Sequence, residues 1–176
     1  MKFLKWTLGT LILLIAVLLV GGLFLSPKFT VSRSVTVTAP PEKVYALVAS
    51  PRQWKAWSVW NQRDPAMQIE YSGPESGAGA AWAWKSQREG DGKMTFTAAE
   101  SPSRVVYDLY FPDFGTTSSG ELRFVGQGGG TVVTWIMNGD MGSNPLFRWL
   151  ALGADGMVGK DFEAGLAALK ALAEKP

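Results

Sequence analysis

The chain has 176 residues, of which 17 are Lys or Arg and 15 are Asp or Glu, and it contains neither histidine nor cysteine. This composition excludes Ser-His-Asp and Cys-His nucleophilic catalysis, disulfide bonds and the usual zinc ligand sets. Its acidic residues form no closely spaced group, so we expect no metal and no other cofactor.

The net charge also argues against one class of partner. Without Lys2, Lys5 and Lys28, which flank an N-terminal apolar segment, 14 basic residues remain against 15 acidic ones. The remainder is near neutral and has no run of Lys or Arg, whereas nucleic-acid binding needs a basic face. We therefore expect no nucleic-acid partner, and the sequence identifies no protein partner.

Residues 6–26, WTLGTLILLIAVLLVGGLFLS, carry no charge. As a helix this run would reach roughly 30 Å, the thickness of the hydrocarbon core of a bilayer. Trp6 lies at one end, where an indole suits the membrane interface. The alternative is a cleaved signal peptide, which has a shorter apolar region and a small-residue cleavage site, and residues 20–22 are a poor version of such a site. We predict a retained single-pass anchor within residues 1–28.

The side of the membrane on which the domain lies depends on the basic residues that flank the apolar segment, and these are nearly equal in number at its two ends. Lys2, Lys5 and the terminal amine favour a cytoplasmic N-terminus, but three basic residues follow soon after the span. Short basic N-termini of this kind most often stay inside. The remaining domain, residues 29–176, is therefore expected outside the cytoplasm.

A strand, two short helices and six further strands are predicted next. Residues 29–39, FTVSRSVTVTA, alternate apolar and polar side chains as a half-buried strand does. Pro41 opens a short helix, PEKVYALVAS, and Pro51 opens a second, PRQWKAW, in which Trp54 packs against the sheet. The six strands that follow, separated by Gly, Pro and Asp turns, are MQIEYS, GAAWAWKS, KMTFTAA, SRVVYDLYF, SGELRFVG and TVVTWIMNG.

The C-terminal segment after Asn144-Pro145 has apolar residues at helical spacing and predicts one long helix. Glycines interrupt it at a cost of about 1 kcal/mol each, which suggests a bend or space beneath the helix. These glycines are Gly153, Gly156, Gly159 and Gly165. One helix cannot easily cover both faces of seven strands. We therefore predict an α+β fold in which a curved antiparallel sheet wraps around the helix and leaves a cavity.

The order of these pieces resembles the SRPBCC superfamily, which has the START-like helix-grip fold, and within it the polyketide cyclase/dehydrase-like branch. The resemblance runs through VTVTAPPEKVYALVASPRQWKAWSVW, YSGPESGAGAAWAW, GKMTFTAAESPSRVVYDLYF and GGTVVTW to DFEAGLAALKALAE. It covers nearly everything after the apolar segment. It implies a cavity for lipids, sterols, polyketides or other apolar or amphipathic small molecules, in members that are carriers, sensors or, in a few cases, enzymes.

Alternation along the strands and spacing along the long helix predict which side chains face that cavity. Two further tryptophans, at the end of the second short helix, are expected near the mouth of the cavity. The predicted ligand-binding residues are Trp57, Trp60, Tyr71, Trp82, Trp84, Met94, Phe96, Tyr107, Leu109, Phe111, Trp135, Met137, Phe147, Leu150, Met157 and Phe162. On the seventh strand two faces are apolar, and we choose the face of Val133 and Trp135.

The leading hypothesis is a membrane-anchored binding module for an apolar small molecule or lipid. Three alternatives stay open: rings that simply fill the interior, an enzyme on the same scaffold, and a protein-interaction module with a vestigial cavity. General acid or base candidates, all expected to be ordinary solvated or structural groups and none assigned as catalytic, are Tyr71, Tyr107, Asp108, Glu121, Asp140 and Asp161. Arg33 shares the apolar face of the first strand and could pair with an acid or with the anionic head group of a ligand. It lies near the start of the strand, however, so we expect plain exposure.

Overall fold

The computed structural model describes residues 2–113 and 115–176. In chain order the elements are α1 (Lys2–Leu23), β1 (Lys28–Val37), α2 (Pro41–Val48), α3 (Pro51–Trp57), α4 (Val59–Arg63), β2 (Gln68–Ser72), β3 (Ala81–Lys85), β4 (Gly92–Glu100), β5 (Arg104–Phe111), β6 (Thr116–Gln127), β7 (Gly130–Asp140) and α5 (Pro145–Ala173). The proline at the start of α2, α3 and α5 suits the first turn of a helix, where a backbone N–H has no partner in any case.

The seven strands form one antiparallel sheet in the order β1-β7-β6-β5-β4-β3-β2. Strands β2 to β7 follow one another as a meander, and β1 pairs with β7 so that it completes the far side. The predicted α+β architecture, a curved sheet of seven strands with a long C-terminal helix, is confirmed.

The core lies between α5, the short helices and the concave face of the sheet. On β7 the buried hydrophobic residues are Val133, Trp135 and Met137, the face chosen from the sequence. From α5 the buried residues include Phe162, Leu166 and Leu169. Alternating burial along β5 and β7 is the pattern of strands with one face on the core and one in solvent.

Two glycines of α5 leave room for large side chains of the sheet. A Cβ at Gly159 would overlap the guanidinium of Arg33, and a Cβ at Gly165 would lie 3.1 Å from the indole of Trp135. Gly156 meets nothing within 4 Å. The expected space beneath the helix therefore exists at Gly159 and Gly165.

The sequence predicted that Arg33 is exposed, but its side chain is only 25% exposed. Its Nε donates to Glu163 at 2.6 Å and its Nη1 donates to Asp155 at 2.8 Å, both across the contact between β1 and α5. The hydrogen bonds that Arg33 donates to Asp155 and Glu163 raise its pKa above the usual range. Pairing with an acid, the alternative to exposure, is therefore what the structure shows. The sequence could not identify the partners because they are more than 120 residues away along the chain, and only the packing of α5 brings them to Arg33.

The structure also contains a helix that the sequence did not predict. The chain breaks at Ser58, whose backbone is extended, and then forms the five-residue α4. This turn separates Trp60 from Trp54 and Trp57 on α3, so the three tryptophans of WKAWSVW do not share one helix face.

In the part of the chain that the structure describes, one helix is long and apolar enough to cross a membrane, at Lys5–Leu23. It stands at the N-terminus, and its side chains are almost all exposed. A membrane anchor and a signal sequence share these properties.

Candidate functional site

A cavity of about 290 Å³ lies between the concave face of the sheet and the first half of α5. Its wall is mostly aromatic and aliphatic, with methionines from β4, β7 and α5. Methionine and aromatic side chains suit the binding of an irregular apolar molecule, because the thioether is flexible and the rings offer large apolar faces.

The cavity occupies one end of the sheet. We call this the anchor end, where β1 begins at Lys28 and β7 ends at Asp140. The antiparallel register brings the end of β5 to the start of β6 and the end of β3 to the start of β4 at the same edge. The β3–β4 and β5–β6 turns therefore contribute Glu89, Asp91 and Asp113 to the lining.

The structure brings twelve of the sixteen predicted ligand-binding residues to this cavity. They are Trp60, Trp82, Trp84, Met94, Tyr107, Leu109, Phe111, Met137, Phe147, Leu150, Met157 and Phe162. That they bind a ligand remains a prediction, since no ligand is bound.

Trp57 and Trp135 face the interior but lie behind the cavity wall. Trp57 is completely buried and donates its indole N–H to the carbonyl of Leu47. Trp135 is also completely buried and stacks on Phe162, with 3.9 Å between ring centroids and 6° between planes. Both indoles therefore pack the core, contrary to the placement predicted for them.

Phe96 and Tyr71 also lie away from the cavity. Phe96 is buried against Trp54 and Trp82, farther along β4 from the anchor end. Tyr71 lies on β2, which is an edge strand of the sheet. The guanidinium carbon of Arg52 lies 4.4 Å from the centroid of the Tyr71 ring. Such a cation–π contact accounts for this ring without a ligand.

Trp54 connects the cavity to this aromatic core. Its ring lines the cavity and also contacts five other rings, with centroid distances from 4.4 Å to Trp57 to 6.1 Å to Phe96. Its indole N–H donates to the carbonyl of Val48, so the buried polar atom is satisfied. Trp54 packs α3 against the sheet, as predicted. Its second contact, with the cavity, was not predicted.

Tyr107 places a hydroxyl group in an otherwise apolar part of the wall. The side chain is 1 % exposed, and its oxygen accepts a hydrogen bond of 2.8 Å from the indole N–H of Trp135. Its partner in the β5–β6 register is Gly120, where a Cβ would overlap the phenol ring. Burial raises the pKa of Tyr107 well above its usual value, so the phenol stays neutral at physiological pH.

Two serines that the sequence analysis missed also line the cavity. Ser58 is 3 % exposed and Ser118 is 8 % exposed. Both side chains border the cavity, where a polar atom of a ligand can reach their hydroxyls. Ser118 was missed because the sixth strand was predicted to begin at Ser119. Extending its alternation back by one step from Gly120 would have found it.

Acidic side chains mark the polar part of the lining. They are Glu89, Asp91, Asp113, Asp140 and Asp161. Arg63 on α4 bridges Glu89 and Asp161 at 3.0 Å and 2.9 Å, and Trp60 donates its indole N–H to Asp161 at 3.0 Å. The hydrogen bonding of Arg63 to the carboxylate of Asp161, in which Arg63 is the donor, is the main reason that the pKa of Arg63 is raised. This network joins α4, α5 and the β3–β4 turn at the side of the cavity.

The remaining acid or base candidates lie outside the cavity. Asp108 is exposed on the outer face of β5, and Glu121 pairs on the outer face of β6 with Arg123 at 2.8 Å. In residues 2–113 and 115–176 no three acidic side chains are grouped so as to hold a metal ion.

The model of one protein family matches residues 28–174, which is most of the chain. That family is described as polyketide cyclase/dehydrase and lipid transport. The chain belongs to it. The resemblance to the SRPBCC superfamily is thereby confirmed. None of the curated proteins shows significant sequence similarity to the chain.

Solved structures share the fold at low sequence identity. Truncated norcoclaurine synthase from Thalictrum flavum is 12% identical, with 85% of this chain and 95% of that chain covered and a TM-score of 0.63. Protein CV1439 from Chromobacterium violaceum is 14% identical, with 84% and 99% covered and a TM-score of 0.62. The di-domain ARO/CYC BexL from the BE-7585A biosynthetic pathway is 16% identical, with 85% and 51% covered and a TM-score of 0.60. These similarities show the fold and leave the ligand open.

Proposed function

We propose that the chain is a membrane-anchored binding protein that holds one apolar or amphipathic small molecule, of the lipid, sterol or polyketide kind, in the cavity at the anchor end. The observation that carries the proposal is the cavity of about 290 Å³. Its size is near the lower end of the range for small-molecule sites, and its wall is largely apolar. Membership of a family described by polyketide chemistry and lipid transport supports the same class of ligand.

The polar groups on the wall favour an amphipathic ligand over a pure hydrocarbon. Ser58 and Ser118 place hydroxyls on the cavity wall, and the Tyr107 hydroxyl, which accepts from Trp135, can still donate its own proton. A hydrogen bond between one of these hydroxyls and a ligand oxygen would contribute about 0.5–1.5 kcal/mol. A ligand with one or two oxygen atoms would satisfy these groups while its apolar part fills the aromatic wall.

Binding fits the site better than catalysis. Burial holds the phenol of Tyr107 neutral, and the carboxylate of Asp161 already accepts hydrogen bonds from Trp60 and Arg63. Asp140 lies at the exposed edge and accepts the N–H of Gly142. A general base must instead be free to take a proton from a bound substrate.

Filling the cavity should abolish binding without harming the fold. Ser118→Leu would put an isobutyl group into the cavity, whereas Ser119→Leu would put the same group on the exposed outer face of β6. Native mass spectrometry of the full chain released from detergent micelles should show one added small molecule on the wild type and on Ser119→Leu, and none on Ser118→Leu. An added mass retained by Ser118→Leu, or absent from the wild type, would contradict the proposal.

We further propose that the anchor ends by residue 28 and that residues 29–176 form one folded unit without it. The strands, the short helices and α5 share one core, so the unit should unfold in a single transition. The full chain should stay in membranes after a carbonate wash, while the 29–176 segment should be soluble and show one calorimetric peak. Two separate peaks, or an intact mass beginning after Gly22, would contradict this division.

A further inference from the structure

The end of α1 is docked on the start of α5. Arg148 donates to the carbonyl oxygens of Leu23 and Leu25 at 3.1 Å and 3.4 Å, and Trp149 donates its indole N–H to the carbonyl of Leu18 at 3.0 Å. The last carbonyls of a helix lack partners within the helix and favour a cation. Arg148 therefore caps α1, and the apolar helix and the domain are held in a defined relation.

An apolar surface lies beside this contact. Beyond residue 28, seven large hydrophobic side chains of the described residues are exposed, and five of them lie in the first half of α5. We call these five the α5 patch: Leu146, Trp149, Leu150, Leu152 and Met157. Soluble surfaces rarely group large apolar side chains in this way, and such a group marks an interaction site.

The cavity opens at the same place. Leu150 and Met157 both belong to the α5 patch and line the cavity, so the patch forms one edge of its mouth. Asp113 and Asp140 are the exposed lining residues on the sheet side. The neighbouring Met141 donates its N–H to the carbonyl of Pro27 at 2.9 Å, at the junction between α1 and β1. The mouth therefore adjoins the point where the chain leaves the apolar helix.

We propose that the α5 patch rests on the bilayer that α1 crosses, and that the mouth of the cavity faces this bilayer, so that the ligand exchanges with the membrane without passing through bulk water. This inference rests on the proposed anchor and cavity. Leu18 lies five residues before the end of α1, about 7.5 Å along the helix axis, so its bond to Trp149 puts that indole at the depth of the interface, which tryptophan prefers.

The charges around the mouth define the kind of membrane. Asp113 and Asp140 place negative charge at the mouth, Lys28 lies opposite Asp140 in the β1–β7 register, and the α5 patch adds apolar area rather than a basic face. The described residues of the mouth therefore carry no excess of positive charge to attract an anionic lipid surface. Interfacial helices bind in proportion to the apolar area that they bury. The partner that fits is therefore a zwitterionic surface, such as phosphatidylcholine.

The absence of cysteine from the sequence makes the test direct. Nitroxide labels are placed on single cysteines in the full chain, reconstituted in phosphatidylcholine vesicles: Leu152→Cys in the patch, Asp113→Cys at the opposite edge of the mouth, and Val125→Cys as the control. Val125 is matched to Leu152 because both are exposed apolar residues, at 60% and 65%, but Val125 lies at the other end of the sheet. Collision rates with oxygen and with an aqueous nickel chelate then report depth.

The label at 152 should show an oxygen-to-nickel collision ratio several-fold above that at 125, and the label at 113 should lie between them. A label at 152 as accessible to nickel as the control would overturn the proposal. A label at 152 shielded from both oxygen and nickel would overturn it too, since it would indicate a protein partner or a second copy. A label at 113 equal to the control would overturn the orientation of the mouth.

The outcome is separable from that of the proposed function. The added mass in native mass spectrometry reports ligand binding whatever the depth of the labels. An added mass with aqueous labels would reject the membrane contact alone, and buried labels without an added mass would reject the ligand alone.

Discussion

Replacing Trp135 with alanine should lower the free energy of unfolding of the 29–176 segment by about 3–5 kcal/mol, the range for a large ring removed from a packed core. The indole is completely buried, stacks on Phe162 and donates to Tyr107. Its removal would leave a void on the far side of the cavity wall, bordered by Trp57 and Trp60. Urea denaturation followed by circular dichroism measures the change.

Trp84→Ala is the matched comparison, because it removes the same side chain from the cavity itself. Trp84 is only partly buried, and its ring packs over Gly92 and beside Phe111. A ring beside open space has fewer packing partners, so the loss should be smaller, on the order of 1–2 kcal/mol. Equal losses for the two variants would mean that the space beside Trp84 is closed in solution, and the cavity would then not be a binding site.

The fold could be predicted from the sequence because its signals are local. Alternation in VTVTA and in RVVYDLYF shows which residues of a strand face the core, and turns rich in glycine separate the strands. A single long helix against seven strands then leaves few arrangements, and the curved sheet is the economical one. The same alternation correctly turned Trp82, Tyr107 and Met137 inward.

The position of the cavity along the strands could not be predicted in this way. A period of two residues gives the face of a strand but not the distance from its end, so Phe96 was expected to line the same cavity as Met94. Phe96 lies one step farther from the anchor end, where Trp54 fills the space. The partners of Arg33 were hidden for a related reason, because only the packing of α5 on β1 brings its acids near.

The positions of several glycines and serines matter for the packing of α5 and for the cavity wall, and composition alone does not show this. Gly159 and Gly165 permit contacts with Arg33 and Trp135, and Ser118 opens the wall to a polar atom. In a sequence these residues look like helix breakers or surface positions. Their role depends on what lies opposite, and that is a property of the assembled sheet and helix.

Substitution of Gly120 is expected to lower both the stability of the fold and the binding of a ligand in the cavity. It lies opposite Tyr107 in the β5–β6 register, and a Cβ there would overlap the phenol ring. The ring is buried and held by Trp135, so it cannot move outward into solvent. Gly120→Ala should therefore cost about 2–3 kcal/mol, as overpacking of a core does.

Gly126→Ala is the control on the same strand, since a Cβ there would make an ordinary contact, 3.5 Å from the ring of Pro41. Alanine is favoured over glycine in a strand interior on entropic grounds, so this variant should be neutral or slightly stabilised. In Gly120→Ala the displaced phenol has open space on one side only, the cavity that it lines. The variant should thus lose the added mass seen by native mass spectrometry together with its stability, whereas Gly126→Ala should keep both. A stable Gly120→Ala that retains the added mass would show that Tyr107 does not form the wall of the binding site.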